Sequence, residues 1–398
     1  IILTQTTSPG SCINNYTITR TWVATDECGN SSSGSQLITV QDIVAPTITC
    51  PPAITGIQCA SGVPAPYANA TAFVAAGGTL SDNCSGAVSV SMTNQTTAPG
   101  SCVNKFVITR TYTATDACGN ASSCTQTISV DDNTPPGITC PPAISGIQCA
   151  AAVPAAYANA AAFIAAGGSV SDNCTGAVTV SMSNQTSVAC TCPNSYLITR
   201  TYLATDICGN TSTCSQTITV NDNTPPTIVC PPQITGIQCS SAIPPAYTDA
   251  AVFIGAGGSL SDNCAGAVTL TLTNETTAAG SCINNFIITR TYTATDICGN
   301  TASCSQTISV NDNIAPVLTG TLPGGAQGNV CLSNAPAAPA VAIIAAQYTD
   351  NCSSVSATLI NTFTSGDNCS WTVTYTYSIV DACGNAAPNA VIIFTGGD

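Results

Sequence analysis

Cysteine and aspartate are the side chains of this chain that could do chemistry. There are 25 cysteines and no histidine in 398 residues. Thiols at that density either hold metal or close disulfides. Zinc sites normally recruit histidine or paired C-x-x-C knuckles, and the chain has neither. Its cysteines are spread through β-type sequence, the habit of disulfides in an oxidising compartment. Without histidine the Ser-His-Asp and Cys-His constellations cannot be assembled. A carboxylate pair can act as acid and base, but every acidic pair here recurs along the chain in the same setting. That is the mark of a scaffold, and the expectation is that the chain is not an enzyme.

The elements that place these residues are repeats. Ile-Thr-Arg recurs at Arg20, Arg110, Arg200 and Arg290, a period of 90 residues. Cys-Gly-Asn keeps the same period at Cys28, Cys118, Cys208 and Cys298, and Cys-Pro-Pro at Cys50, Cys140 and Cys230. The chain divides into 1–45 (the second half of a unit), three full units at 46–135, 136–225 and 226–315, and a divergent unit at 316–398. The first stretch is expected to be a fragment of a longer array, or to be completed by a strand from another molecule.

Within 46–135, residues 46–50 and 54–59 read as edge strands broken by Pro-Pro. Residues 66–78 carry Tyr67, Ala70, Phe73 and Val74 at helical spacing, stopped by Gly77-Gly78. Stretches 87–94, 106–115 and 125–130 alternate apolar and polar residues, as half-buried strands do. The fold class is therefore all-β: tandem immunoglobulin-like sandwiches of about 90 residues, each with one short Ala-rich helix and up to three disulfides.

The repeats select a pairing for those disulfides. In the divergent unit the Cys50 position is Gly320 and the Cys124 position falls near Ala387. Joint loss pairs Cys50 with Cys124. Cys102 and Cys118 flank a strand spanning roughly 33 Å at ~3.3 Å per residue, far beyond the ~7 Å that a disulfide tolerates. Cys84 and Cys102 are excluded likewise. What remains is Cys59 with Cys102 and Cys84 with Cys118. Carried along the chain, the scheme gives Cys140 with Cys214, Cys149 with Cys192, Cys174 with Cys208, Cys230 with Cys304, Cys239 with Cys282, Cys264 with Cys298, Cys331 with Cys369 and Cys352 with Cys383. Cys12, Cys28 and Cys190 are left over. Cys12 and Cys28 would find partners in the absent half-unit, and either Cys190 or Cys192 takes Cys149.

This scheme gathers aspartates. Asp82 and Asp116 precede the two cysteines of one proposed bridge and face the linker residue Asp42. The same logic groups Asp132 with Asp172 and Asp206, and Asp222 with Asp262 and Asp296. Hard oxygen ligands converging on a junction suit Ca²⁺, and no other cofactor is expected. The bland alternative is that these aspartates cap Asx-turns. The linker Asn221-Asp222-Asn223-Thr-Pro-Pro226 resembles the calcium linker of cadherins.

Composition excludes other partners. Charged residues are 6% of the chain and the net charge is −14, so there is no basic patch for nucleic acid or an anionic membrane. No apolar run approaches the ~18–20 residues of a membrane span. The four arginines read as one surface ion pair per unit. With Lys105 the only lysine, a Lys–Asn isopeptide in every unit is excluded. Asn-x-Ser/Thr sequons at Asn15, Asn30, Asn69, Asn94, Asn120, Asn184, Asn210 and Asn274 offer sites for glycosylation.

The string Ile-Thr-Arg-Thr-Tyr-Thr-Ala-Thr-Asp116-Ala-Cys118-Gly-Asn, with Asn133-Thr-Pro-Pro and Thr-Cys140-Pro-Pro after it, resembles the HYR-like immunoglobulin-type repeats of Bacteroidota surface proteins. Such repeats occur in giant adhesins linked to gliding motility and type IX secretion. The resemblance implies a secreted protein on the bacterial cell surface, with a role in adhesion or display. The expected function is a disulfide-stabilised rod or stalk of an adhesin, its surface or glycan ligand unidentified. Two alternatives stand beside it. One is a homopolymeric extracellular filament joined by strand complementation. The other is a carbohydrate-binding exoprotein, for which an aromatic content of 5% leaves few stacking platforms.

Overall fold

The computed structural model describes residues 1–397. Each repeat is built on three long antiparallel strands. In 46–135 these are Ser89–Pro99, Lys105–Thr115 and Ala121–Asp131. Their Thr, Val and Ile content favours a pleated, half-buried surface. The short Ile54–Ile57 strand adds to the last of them in parallel, Ile54 opposite Ile128 and Ile57 opposite Val130, which completes a four-stranded sheet. Thr47–Thr49 and Thr79–Ser81 pair separately as a two-stranded sheet. The same four-plus-two plan recurs in 226–315 and 316–398. Residues 1–40 form a three-stranded sheet from Ile2–Pro9, Tyr16–Thr25 and Ser31–Val40.

The helix expected over 66–78 is shorter, Ala70–Ala75. The Asn69 side chain caps it, accepting from the Ala72 N–H at 2.9 Å. Phe73 is its one buried residue. It packs edge-on against Tyr67 and Tyr112 with ring centroids 5.9 and 5.4 Å away, and those two rings lie tilted 5.3 Å apart, each pair contributing about 0.5–1.5 kcal/mol beyond area burial. Gly77, at a left-handed φ of 96°, ends the helix, and a Cβ on Gly78 would collide with the Phe73 ring. Val74, at helical spacing in the sequence, points to solvent. Tyr67, Phe73 and Tyr112 are thus engaged with one another, whereas Trp22 and Phe363 are exposed.

Alternation along Lys105–Thr115 buries Ile108, Arg110, Tyr112 and Ala114. Arg110 is therefore not on an exposed sheet face, as the sequence reading had it. It shares the parity of the core residues and is 4% exposed. Its Nε donates to Gln95 Oε1 at 2.9 Å and Nη2 to the Pro64 carbonyl at 2.7 Å. Arg200 repeats this with Gln185 and Pro154. Among the described residues only Arg290, of the arginines, meets a carboxylate, Glu275 at 2.6 Å.

Repeat 316–398 has neither cysteine of the Cys50–Cys124 type and holds a larger core of Ile344, Tyr348, Trp371, Tyr375, Tyr377, Ile379 and Phe394. Tyr375 occupies the arginine position, six residues before the turn aspartate, and its hydroxyl donates to the Pro336 carbonyl at 2.8 Å. Contacts divide the chain into two compact units: 1–144 with 154–187 and 198–218, and 145–153 with 188–197 and 219–398.

Candidate functional site

The sites that set this chain apart lie where one repeat meets the next. Ten disulfides are present. Three are internal: Cys50–Cys124, Cys140–Cys214 and Cys230–Cys304. These are the pairs that joint loss in the divergent repeat pointed to. Each ties the Cys-Pro-Pro segment to the closing long strand.

The other seven join consecutive repeats, which corrects the remainder of the scheme. Cys59 bonds Cys174, Cys149 bonds Cys264 and Cys239 bonds Cys352. Cys12 bonds Cys118, Cys102 bonds Cys208, Cys192 bonds Cys298 and Cys282 bonds Cys383. The pairs Cys59 with Cys102 and Cys84 with Cys118 do not form. Nor do Cys149 with Cys192, Cys174 with Cys208, Cys239 with Cys282, Cys264 with Cys298, Cys331 with Cys369, or Cys352 with Cys383. The physical reason is that strand length places Cys59 and Cys102 at the trailing end of a repeat and Cys84 and Cys118 at the leading end. Each end bonds its neighbour's complementary end. Cys28, Cys84, Cys190, Cys331 and Cys369 are unpaired.

Local sequence explains the presentation. Cys59 precedes a 3₁₀ turn, Ala60–Gly62. Cys102 sits in the hairpin between two long strands. Cys118 follows Asp116, whose Oδ1 accepts the Cys118 and Asn120 N–H groups at 2.8 and 2.9 Å and whose Oδ2 accepts Asn120 Nδ2 at 2.8 Å. Burial raises the Asp116 pKa, but the Asn120 side-chain bond and the backbone donors of Asn120, Cys118 and Gly119 outweigh it and hold it below the ordinary value. Asp206 and Asp296 behave alike. Asn120 Nδ2 also donates 3.1 Å to the backbone oxygen of Asp42 in the preceding linker, and Asn210 reaches Asp132 at 3.0 Å.

Sequence reasoning missed a second fastener. Asn14 Nδ2 donates 2.8 Å to the Ser85 carbonyl, and Asn194 Nδ2 3.3 Å to that of Ala265. The recurring Cys-x-Asn spacing at Cys12, Cys102, Cys192 and Cys282 was the available signal.

The expected acidic triads assemble in reduced form. One ligand atom each of Asp42, Asp82 and Cys84 lies within 4.8 Å of the others. Asp132, Asp172 and Cys174 match this, as do Asp222, Asp262 and Cys264. Asp116, Asp206 and Asp296 stand outside these groups, their oxygens engaged in the turn. The last junction keeps three acids together, Asp312, Asp350 and Asp381. In each of these paired aspartates one carboxylate oxygen is used and the other is orphaned. Asp132 Oδ1 accepts the Thr134 N–H at 3.3 Å and Asp172 Oδ2 that of Cys174 at 3.1 Å. Asp132 Oδ2 and Asp172 Oδ1 are buried without a hydrogen-bond partner. Burial, then the charges of Asp350 and Asp381, raise the pKa of Asp312. Cys174 and Cys264 are in disulfides, so those sulfurs offer no thiolate.

No family model and no curated protein matches the chain. Solved structures similar to it include the protocadherin GammaB4 extracellular domain (14% identity, 100% of this chain and 79% of that one, TM-score 0.34). Protocadherin Gamma B2 extracellular cadherin domains 1–5 are another (13%, 99% and 86%, 0.32). The human desmocollin-1 ectodomain is a third (11%, 97% and 86%, 0.21).

Proposed function

We propose that this chain is a load-bearing, structural segment of an adhesive extracellular surface protein. The observation behind this reading is that seven disulfides join one repeat to the next. Tension entering at Cys12 passes to Cys118, back along one strand to Cys102, on to Cys208, and so through Cys192–Cys298 and Cys282–Cys383. The shortest covalent route from end to end uses about 75 residues, an extended length of about 250 Å against about 1,400 Å for the open chain. Unfolding a repeat therefore pays out little slack. Disulfides at this density call for an oxidising compartment. The resemblance to HYR-like repeats supports a place on a bacterial outer surface. Stretching the chain by its ends in a force spectrometer tests the reading. An oxidised chain that extends towards its full contour before breaking would refute it.

The acid pockets add a cation to this reading. Asp132 Oδ2 with Asp172 Oδ1, and their counterparts, are hard, buried donors without a partner, on carboxylates each of which brings an oxygen within 4.8 Å of the other, close enough for one Ca²⁺ to bridge. Bound there, Ca²⁺ would neutralise the pair and clamp linker to repeat. At a hundred times its Kd each site would contribute about 2.7 kcal/mol. Equal melting temperatures with calcium and with chelator would remove the cation and leave the disulfide route intact.

A further inference from the structure

We propose that Cys331 and Cys369 form one open half of a further stapled junction, whose partner is another repeat of this same kind bearing an Asp-Asn-Cys turn and an Asp-x-Cys-Gly-Asn turn. Position carries the argument. Cys59, Cys149 and Cys239 each stand immediately before a 3₁₀ turn, and each bonds the Asp-Asn-Cys cysteine of the following repeat. Cys331 stands before the same turn, Leu332–Asn334. Cys102, Cys192 and Cys282 each lie in the hairpin ahead of a long strand, and each bonds the Cys-Gly-Asn cysteine of the following repeat. Cys369 lies in the corresponding hairpin, between Ser356–Asp367 and Ser370–Val380. Both sulfurs are unpaired.

Two features make this more than a pair of stray thiols. The repeat that has Gly320 and Ala387 where the internal bond would be keeps both trailing cysteines. And the Cys369 turn is held by its own side chain: Asp367 Oδ1 accepts the Cys369 and Ser370 N–H groups at 2.9 and 3.2 Å. One fastener is absent, because Cys369-Ser370-Trp371 lacks the asparagine of the Cys-x-Asn pattern. The two covalent bonds must then hold this junction without the Asn194-type contact.

Each bond forms by exchange with a small-molecule disulfide. A Cys369 thiolate attacks it, one half leaves as thiol, and a mixed disulfide results. The incoming cysteine's thiolate attacks the Cys369 sulfur and expels the second half. Two protein thiols are oxidised, one small disulfide is reduced to two thiols, and these take up both protons.

The test is disulfide mapping of the protein recovered from the surface of the cells that make it, with free thiols alkylated at lysis. Peptides containing Cys331 and Cys369 should be found linked to peptides with the two turn motifs. If the partner repeat belongs to the same chain, mass on a non-reducing gel is unchanged by reductant. If it belongs to a second copy, the band is at least doubled and collapses on reduction. A Cys331→Ser/Cys369→Ser chain should lose the link yet keep Cys282–Cys383. Alkylated, mutually bonded or small-thiol-capped Cys331 and Cys369 would overturn the proposal. The load-bearing reading is judged apart from it, since the covalent route between Cys12 and Cys383 uses neither cysteine.

Discussion

Cys102 and Cys118 bracket the Lys105–Thr115 strand and bond in opposite directions, Cys102 to Cys208 in the next repeat and Cys118 to Cys12 in the one before. A strand of that length keeps its two ends apart, so the bonds at each end are free to serve different neighbours. Each full repeat is thereby a link with a covalent grip at both ends. The bonds close loops of 106 residues, for which the chain-entropy treatment gives about 4–5 kcal/mol apiece. Overlapping loops share part of that entropy and do not add in full.

Mass spectrometry of the oxidised, unreduced protein after peptic digestion should return Cys59 linked to Cys174 and Cys102 linked to Cys208. A Cys59–Cys102 peptide would show that each repeat closes on itself, and the extension limit would vanish with it.

The junctions are redundant. With Cys102 and Cys208 both changed to Ser, a second route of nearly equal length runs through Cys50–Cys124 and Cys59–Cys174. The extension limit of about 250 Å should therefore survive that double substitution in force spectroscopy. It should disappear on full reduction.

Arg110 is a buried cation met by neutral acceptors. Arg110→Ala leaves the Pro64 carbonyl without its donor and opens a cavity, at a cost of about 2–3 kcal/mol. Arg110→Met fills the space without a charge to desolvate but leaves the same carbonyl unpaired, and should cost less than Arg110→Ala. Tyr375 already fills this position with an uncharged side chain. Hydrogen exchange of the Lys105–Thr115 amides reads the difference within one repeat, where a global unfolding curve would average over all of them.

Asp116, Asp206 and Asp296 have folded pKa values below the ordinary 3.8. A lowered folded value stabilises above the unfolded pKa and loses that contribution as pH falls through the folded one. The leading turns should hold from neutral pH down to about pH 4 and loosen below it. Asp116→Asn should remove part of that dependence in repeat 46–135 alone. Exchange rates of the Cys118–Asn120 amides against pH supply the check.

The reading from sequence and the tertiary structure divide along a physical line. Local, periodic features were legible. A strict period exposes the repeats, alternation exposes Lys105–Thr115 as a strand, and Tyr67, Phe73 and Gly77-Gly78 mark the helix. Cys50–Cys124 was legible too, since both partners are lost together in the divergent repeat. The burial of Arg110 was within reach, for it shares the parity of Ile108 and Tyr112, but its charge argued for the surface. What the sequence alone could not decide was the partner of a cysteine at a repeat's end. In a 90-residue repeat the cysteines of neighbouring units are chemically equivalent, so Cys102 reads the same whether it bonds Cys59 or Cys208. Only the placement of one repeat's trailing end against the next one's leading turn distinguishes them. That placement turns a row of closed modules into a covalent ladder.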